Sequence, residues 1–139
     1  MSKSNVELVT RIYSLFSNGQ PEKVLEHAAP DVEIEMIAFG QTFRGHDGFR
    51  QFMQAFNTSF PDLKIEAASP VSDGDRVVAE LVGVGTHKGP LMTPAGPIPP
   101  TGKTVHFRVC EVWEMRDGKV LKLRNYQDAG SILRQIGAA

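Results

Sequence analysis

The first part of the chain repeats its apolar residues at the spacing of helices. A first helix is predicted by apolar residues that recur every three or four positions, namely Val6, Val9, Tyr13 and Phe16. Ser4 and Glu7 have the spacing of a capping box, so we expect this helix to begin at Ser4. A short second helix is predicted over residues 21–27, and a third begins near Asp47.

The rest of the chain alternates apolar and polar residues, as strands do. Residues 32–36 form the first such run, and residues 76–87 and 104–115 predict two long strands. Asp-Gly pairs at residues 73–74 and 117–118 predict tight turns between neighbouring antiparallel strands.

Residues 88–103 interrupt the strand pattern with closely spaced prolines. Proline cannot donate a hydrogen bond to a neighbouring strand, so this segment is predicted to be a loop rather than a central strand. The prolines restrict the backbone locally, whereas Gly89, Gly96 and Gly102 allow the backbone to bend between them. We therefore expect this loop to gate a pocket.

Helices followed by long antiparallel strands predict an α+β fold, in a single domain that spans residues 1–139. We expect a curved antiparallel sheet wrapped around three helices, which leaves a cone-shaped central pocket for a small apolar ligand. The outer face of the sheet carries Val78, Val82 and Val84, an apolar set too large to stay exposed to water. The chain is therefore predicted to form a homodimer.

Composition and charge narrow the class of protein. Lys and Arg number 15 against 16 Asp and Glu, and the net charge of -1 argues against binding to nucleic acid or to a membrane surface. Cys110 is the one cysteine, which excludes an internal disulfide framework and a cysteine-based zinc site. The histidines lack the spacing of metal ligands, so we expect no metal. Without an apolar run for a signal peptide or a membrane span, the expected location is the cytoplasm.

Six short sequence segments, spread over nearly the whole chain, occur in the same order as the motifs of a known protein family. They read FRG at 43–45, FPDL at 60–63, GTHKG at 85–89, IPPTGK at 98–103, RDGKV at 116–120, and YQD at 126–128 followed by LRQIG at 133–137. Together they resemble the SnoaL-like polyketide (ester) cyclases, which have the nuclear transport factor 2-like fold. Such cyclases often carry an acid and a tryptophan in the last strand, where this chain has Lys122 and Arg124.

The resemblance implies an enzyme that needs no cofactor and acts on a small apolar ligand that contains a carbonyl group. It would close a ring by an intramolecular aldol reaction, in which a carboxylate removes a proton next to a carbonyl or ester. Asp128 matches the aspartate that these cyclases place before their last helix as the acid/base. We therefore expect the Asp128 side chain to face a dry pocket, where burial raises its pKa toward neutrality. The alternative is a helix cap, with Ser131 three residues further on.

Glu111 is a second candidate acid/base, because it interrupts the apolar face of its predicted strand. Burying an unpaired carboxylate is unfavourable unless it is protonated or paired. The alternative is a salt bridge to Arg124 or Arg108. A two-residue turn at residues 117–118 would place Glu111 opposite Arg124, whereas a bulged three-residue turn would place it opposite Leu123.

His87 is the third catalytic candidate. It ends a predicted strand at the mouth of the proline-rich loop, where a histidine can orient a substrate carbonyl or share a proton. Alternatively, it fixes the loop by a hydrogen bond. Substrate contacts are predicted for four aromatic residues and one amide, which are Tyr13, Phe16, Phe56, Trp113 and Asn125. Core packing or a backbone network would also explain each of them.

Two other classes of function stay open at this point. A hydrolase of an epoxide or ester on the same fold would combine Glu111 and Asp128 with Arg124 or Arg108. A non-catalytic small-molecule binding domain would keep the pocket without using an acid. Two carboxylates and a hydrogen-bond donor in one closed pocket favour an enzyme, whereas carboxylates that cap or pair outside the pocket favour binding.

Overall fold

The computed structural model describes the backbone of residues 2–138 and the side chains of residues 4–138. Its helices are α1 (Ser2–Ser17), α2 (Pro21–Leu25), α3 (Gly45–Ser59) and α4 (Ala129–Gln135), with a 3-10 turn at Ile37–Phe39. Its strands are β1 (Ala28–Met36), β2 (Gln41–Arg44), β3 (Lys64–Asp73), β4 (Arg76–Thr86), β5 (Leu91–Thr93), β6 (Gly96–Ile98), β7 (Thr104–Arg116) and β8 (Lys119–Gln127). This order of elements confirms the predicted α+β class.

Six of these strands form one curved, open sheet in the order β2-β1-β8-β7-β4-β3. Neighbouring strands are antiparallel except that β1 runs parallel to β8, so the prediction of an antiparallel sheet is wrong for this pair. A parallel pair needs a long crossover, and here α3 and the strands between β1 and β8 supply it. Helices α1 and α3 pack on the concave face.

Several elements differ from the sequence prediction. Helix α2 ends at Leu25 rather than at residue 27, and β1 begins at Ala28 rather than at residue 32. Helix α1 already includes Ser2, so Ser4 lies within its first turn and the predicted start at Ser4 is wrong. Strand β2 was not predicted, because its four residues contain one apolar residue and so show no alternation of apolar and polar positions. The predicted loop at residues 88–103 stays out of the six-stranded sheet, yet it contains the β5–β6 hairpin. A two-stranded hairpin tolerates proline because both of its strands are edges.

The turn between β7 and β8 sets the register of the site. Its two residues have positive φ angles, +53° at Asp117 and +75° at Gly118, as a two-residue hairpin turn requires. Glu114 nevertheless pairs with Lys122 rather than with Leu121, so β8 contains one extra residue at a bulge. The bulge shifts the pairing of every residue that follows it in β8.

The core lies between the concave face and the helices. Its largest buried side chains include Trp113, Phe49 and Leu123, and burial of a Phe or Leu side chain contributes about 1.5–3 kcal/mol relative to exposure. On the opposite face Val78 and Val82 are half-buried, as the predicted alternation in β4 requires. None of the helices within residues 2–138 is long and apolar enough to span a membrane.

Candidate active site

A cavity of about 80 Å³, here called the inner cavity, lies between the helices and the concave face of the sheet. It is lined by Ile12, Tyr13, Phe16, Val24, Phe49, Phe52, Met53, Phe56, Leu63, Ile65, Leu81, Gly83, Phe107, Val109, Glu111, Trp113, Leu123 and Asn125. All five residues predicted to contact substrate are in this wall, so the structure brings them together. Among the lining residues described, Glu111 is the one acid and none is basic.

Glu111 reaches the inner cavity because of the bulge in β8. Its pairing partner is Asn125, which is neither of the two residues predicted to lie opposite it. A shift of one residue turns successive side chains to opposite faces of a sheet, so Asn125 faces inward and Arg124 outward. Glu111 is 6% exposed.

The hydrogen bonds around Glu111 all point toward its carboxylate. The Trp113 indole N–H donates to the Tyr13 hydroxyl oxygen over 2.8 Å, and the Tyr13 hydroxyl donates to Glu111 Oε1 over 3.0 Å. From the other side Asn125 Nδ2 donates to Glu111 Oε2 over 2.7 Å, while Asn125 Oδ1 accepts from Gln127 Nε2 over 3.1 Å. Each carboxylate oxygen therefore accepts one hydrogen bond from these side chains and has capacity for a further partner.

Burial raises the pKa of Glu111 above its ordinary value, because the apolar wall disfavours the charged form. The hydrogen bonds from Asn125 and Tyr13 oppose this rise by stabilising the carboxylate. Burial and the nearby Glu111 charge raise the pKa of Tyr13 well above its usual range, so its hydroxyl remains a donor. A carboxyl group of this kind can take a proton from a ligand and return it.

The alternative prediction, a salt bridge from Glu111 to Arg124 or Arg108, is wrong. Arg124 lies on the outer face of β8 and pairs with Glu114, whose pKa it lowers. Arg108 is exposed on the outer face of β7. Glu111 and Glu114 thus occupy one strand but experience opposite environments, one apolar and one beside a cation.

Asp128 does not face the inner cavity, and that prediction is wrong. Its side chain is exposed, and Oδ1 accepts a hydrogen bond from the Ser131 backbone N–H over 3.0 Å. This contact makes Asp128 the N-cap of α4, as the alternative predicted. The physical reason is that the first turn of a helix has free N–H groups, which a carboxylate can satisfy without leaving water.

His87 fixes the proline-rich segment instead of joining Glu111. Its Nδ1 accepts from the Thr101 backbone N–H over 3.2 Å, and burial lowers the pKa of the ring. Its backbone pairs with Lys103 and Gly102 across the base of the segment. Over the residues that the structure describes, His87 does not line the inner cavity, and its predicted catalytic position is wrong.

A second cavity of about 370 Å³, here called the outer chamber, adjoins the inner one. It is lined by Met36, Phe39, Gln41, Phe43, Gln51, Gln54, Ala55, Phe56, Thr58, Ser59, Phe60, Pro90, Leu91, Met92, Phe107, Gln127, Ala129, Ile132 and Leu133. Leu91 and Met92 belong to the β5–β6 hairpin, which Ser59 holds by donating from Oγ to the Pro90 carbonyl over 2.9 Å. The predicted proline-rich loop therefore contacts a cavity, although its movement stays a prediction.

The glutamines of the outer chamber were not predicted as site residues. Gln51 and Gln54 occupy polar positions of α3, a pattern that is usual for a helix face in water. Gln127 is the last residue of β8 and lines the same chamber, two residues after Asn125. Within residues 4–138, His, Cys, Asp and Glu side chains form no group of three or more that could hold a metal ion.

Comparison with known proteins agrees with this fold. The sequence model of the SnoaL-like polyketide cyclase family matches residues 6–136. IdmH from Streptomyces antibioticus, provisionally assigned as a polyketide cyclase, is 26% identical with a TM-score of 0.80, over 96% of this chain and 98% of its own. A provisionally assigned SnoaL-like polyketide cyclase from Jannaschia sp. CCS1 is 23% identical with a TM-score of 0.87, over 99% of this chain and 94% of its own.

AclR from Streptomyces galilaeus, provisionally assigned as a hydroxylase, is 21% identical with a TM-score of 0.84, over 100% of this chain and 99% of its own. A search of curated proteins found no match. The predicted nuclear transport factor 2-like fold is confirmed by these structural similarities.

Proposed function

The chain belongs to the SnoaL-like polyketide cyclase family, and from this premise we propose that it is an enzyme in which Glu111 acts as acid and base on a small apolar carbonyl compound. The observation that carries the proposal is the environment of the Glu111 carboxyl group. It is buried in an apolar cavity, two side chains donate hydrogen bonds to it, and no described lining residue is basic. A carboxyl group whose pKa is raised by burial in a cavity is a candidate for a catalytic acid or base.

The proposed reaction is an intramolecular aldol closure. The ionised Glu111 carboxylate takes a proton from the carbon next to a carbonyl, and the electron pair of that C–H bond forms the enolate. The enolate carbon then attacks a second carbonyl of the same molecule and forms the C–C bond of the ring. The resulting alkoxide takes the proton back from Glu111, so the step balances without an oxidant, a reductant or a co-reactant.

Tyr13 and Asn125 are positioning residues in this mechanism. Their hydrogen bonds hold both oxygens of Glu111, and Trp113 in turn fixes the Tyr13 hydroxyl. We propose that the second N–H of the Asn125 amide donates to the enolate oxygen, since Asn125 lines the inner cavity beside Glu111. The apolar wall favours this chemistry because electrostatic interactions are stronger where water is excluded.

The hydrolase alternative has less support, because the other residues that it needs do not lie beside Glu111. It needs a second carboxylate and an arginine beside Glu111, but Asp128 caps α4 in water and Arg124 pairs with Glu114 on the outer face. A binding domain without catalysis differs from the proposal in one measurable respect, since it would not accelerate proton transfer.

Exchange of the α-protons of cyclopentanone in D2O, followed by proton NMR, tests the proposal. We expect the protein to accelerate exchange and Glu111→Gln to reduce the rate by about 10²–10⁴-fold, because the amide cannot accept the proton. Glu114→Gln is the matched control on the outer face of the same strand and is expected to keep the wild-type rate. Equal rates for Glu111→Gln and the wild-type protein would contradict the proposal, and no acceleration by any variant would favour the binding domain.

A further inference from the structure

The inner cavity is too small for a whole ring-forming substrate. Its volume of about 80 Å³ is roughly half that of a 150 Å³ cavity that binds benzene. Only the reacting end of a larger molecule therefore fits beside Glu111. The outer chamber, at about 370 Å³, reaches the range of roughly 300–1,000 Å³ that is usual for small-molecule sites.

The two cavities share a wall made of two aromatic rings, those of Phe56 on α3 and Phe107 on β7. Phe107 is buried and packs edge-on against Phe60, with ring centroids 4.8 Å apart. Phe56 is half-buried and packs edge-on against Phe52 at 5.2 Å. Because both residues line both cavities, a group that extends from the outer chamber to Glu111 has to pass Phe56 and Phe107.

The walls of the outer chamber indicate the chemistry of what it holds. Its described lining residues include four glutamines but no charged side chain. Gln127 donates to Asn125, which donates to Glu111, so a line of amide groups runs from the outer chamber to the inner cavity. Such a wall offers apolar contact and amide donors and acceptors but no cation, so it suits an uncharged, largely apolar molecule with carbonyl or hydroxyl oxygens better than a phosphate or carboxylate.

We propose that the substrate is an elongated, uncharged molecule that binds across both cavities. Its reacting carbonyl end lies in the inner cavity beside Glu111, its larger remainder lies in the outer chamber, and the chain between them passes Phe56 and Phe107. This inference rests on the proposed function of Glu111. It makes Phe56 and Phe107 determinants of substrate width, and Ala55 of α3 a determinant of the room left for the remainder.

Trp113 makes occupation of the two cavities distinguishable. It is the one tryptophan of the chain, and it lines the inner cavity but, among the residues described, not the outer chamber. Two methyl ketones serve as probes: 2-butanone, and 6-phenyl-2-hexanone, which carries the same reacting end on a long phenyl tail. We expect both to change Trp113 emission in the wild-type protein, and the longer ketone to bind about ten-fold more tightly because its tail buries apolar surface.

Ala55→Phe narrows the outer chamber, and Ala138→Phe makes the same change at an exposed position after α4 that lines neither cavity. Ala55→Phe is expected to raise the Kd of 6-phenyl-2-hexanone about ten-fold and to leave the Kd of 2-butanone within about two-fold, since only the tail loses its place. Ala138→Phe is expected to change the Kd of neither ketone. Ala129→Phe narrows the same chamber from α4 and serves if Ala55→Phe does not fold.

Equal weakening of both ketones by Ala55→Phe, or binding of the longer ketone without a change in Trp113 emission, overturns the proposal. The exchange assay separates this failure from that of the proposed function. If the ketones bind as expected but Glu111→Gln exchanges protons at the wild-type rate, binding across two cavities stands and the catalytic role of Glu111 fails. If exchange depends on Glu111 but the longer ketone binds no more tightly than 2-butanone, the catalytic role of Glu111 stands and binding across two cavities fails.

Discussion

Replacing Glu111 by glutamine is expected to stabilise the fold at neutral pH and to destabilise it slightly in acid. The unfolded chain titrates Glu111 at its ordinary value, whereas burial raises its pKa in the folded protein. Between these two pKa values the folded protein binds more protons than the unfolded chain, so the wild-type free energy of unfolding falls as the pH rises. Glutamine does not titrate, and the variant lacks this loss.

The size of the effect follows from two opposing contributions. Each unit by which burial raises the pKa of Glu111 lowers wild-type stability at neutral pH by about 1.4 kcal/mol. The glutamine amide accepts through one oxygen only, so either Tyr13 or Asn125 loses its acceptor, at a cost of about 1 kcal/mol. Because the raised pKa disfavours the ionised wild-type carboxylate in the folded protein, we expect the variant to be the more stable protein at pH 7. At pH 4 only the lost hydrogen bond remains, and the variant is about 1 kcal/mol less stable than the wild-type protein.

Urea denaturation followed by circular dichroism between pH 4 and pH 8 measures this crossover. Glu114→Gln is the control, because Arg124 lowers the pKa of Glu114 and the pair stabilises the fold above the unfolded pKa. That variant is expected to be the less stable protein at neutral pH, by at most about 1 kcal/mol for a partly exposed pair, with the difference fading in acid. A stability difference between Glu111→Gln and the wild-type protein that does not change with pH would refute the raised pKa.

Three further predictions concern the residues around the site. Asp128→Asn keeps a side chain that caps α4, so α-proton exchange should stay at the wild-type rate, whereas Asp128→Ala should lose about 1 kcal/mol of stability in thermal unfolding. The protein is expected to be a homodimer through the outer face of its sheet, and Val82→Lys should convert it to a monomer in sedimentation at micromolar concentration, whereas a wild-type monomer would contradict this. Ser59→Ala removes the hydrogen bond to Pro90, so amide hydrogen exchange in the β5–β6 hairpin should become faster, and unchanged exchange would show that this contact does not restrain the hairpin.

Features that depend on neighbours in the chain could be predicted from the sequence. The Asp117-Gly118 pair forms the expected two-residue turn, because both residues tolerate the positive φ angles that such a turn needs. Glu111 stood out as an acid on an apolar strand face, and the structure buries that face against α1 and α3. Local periodicity was sufficient for these assignments, since each involves only the strand or turn in question.

Features that depend on distant contacts could not be predicted in this way. The parallel pairing of β1 with β8 joins strands that are far apart in the sequence. The residue pattern of either strand does not show whether its neighbour runs parallel or antiparallel. Gln51 and Gln54 face the outer chamber only because the β5–β6 hairpin and α4 contribute its other walls. The side chain of Asp128 had two chemically reasonable positions, and the free N–H groups of α4 decided between them.

The bulge at Leu121 decides which chemistry Glu111 can perform. Without the extra residue, the two-residue turn would pair Glu111 with Arg124, and directly opposed residues share a face of the sheet. Glu111 would then be a buried ion pair with a lowered pKa, unable to take a proton at neutral pH. With the bulge, Arg124 turns outward to Glu114 and the neutral amide of Asn125 takes its place. A single backbone irregularity in β8 therefore separates a structural salt bridge from a carboxyl group suited to proton transfer.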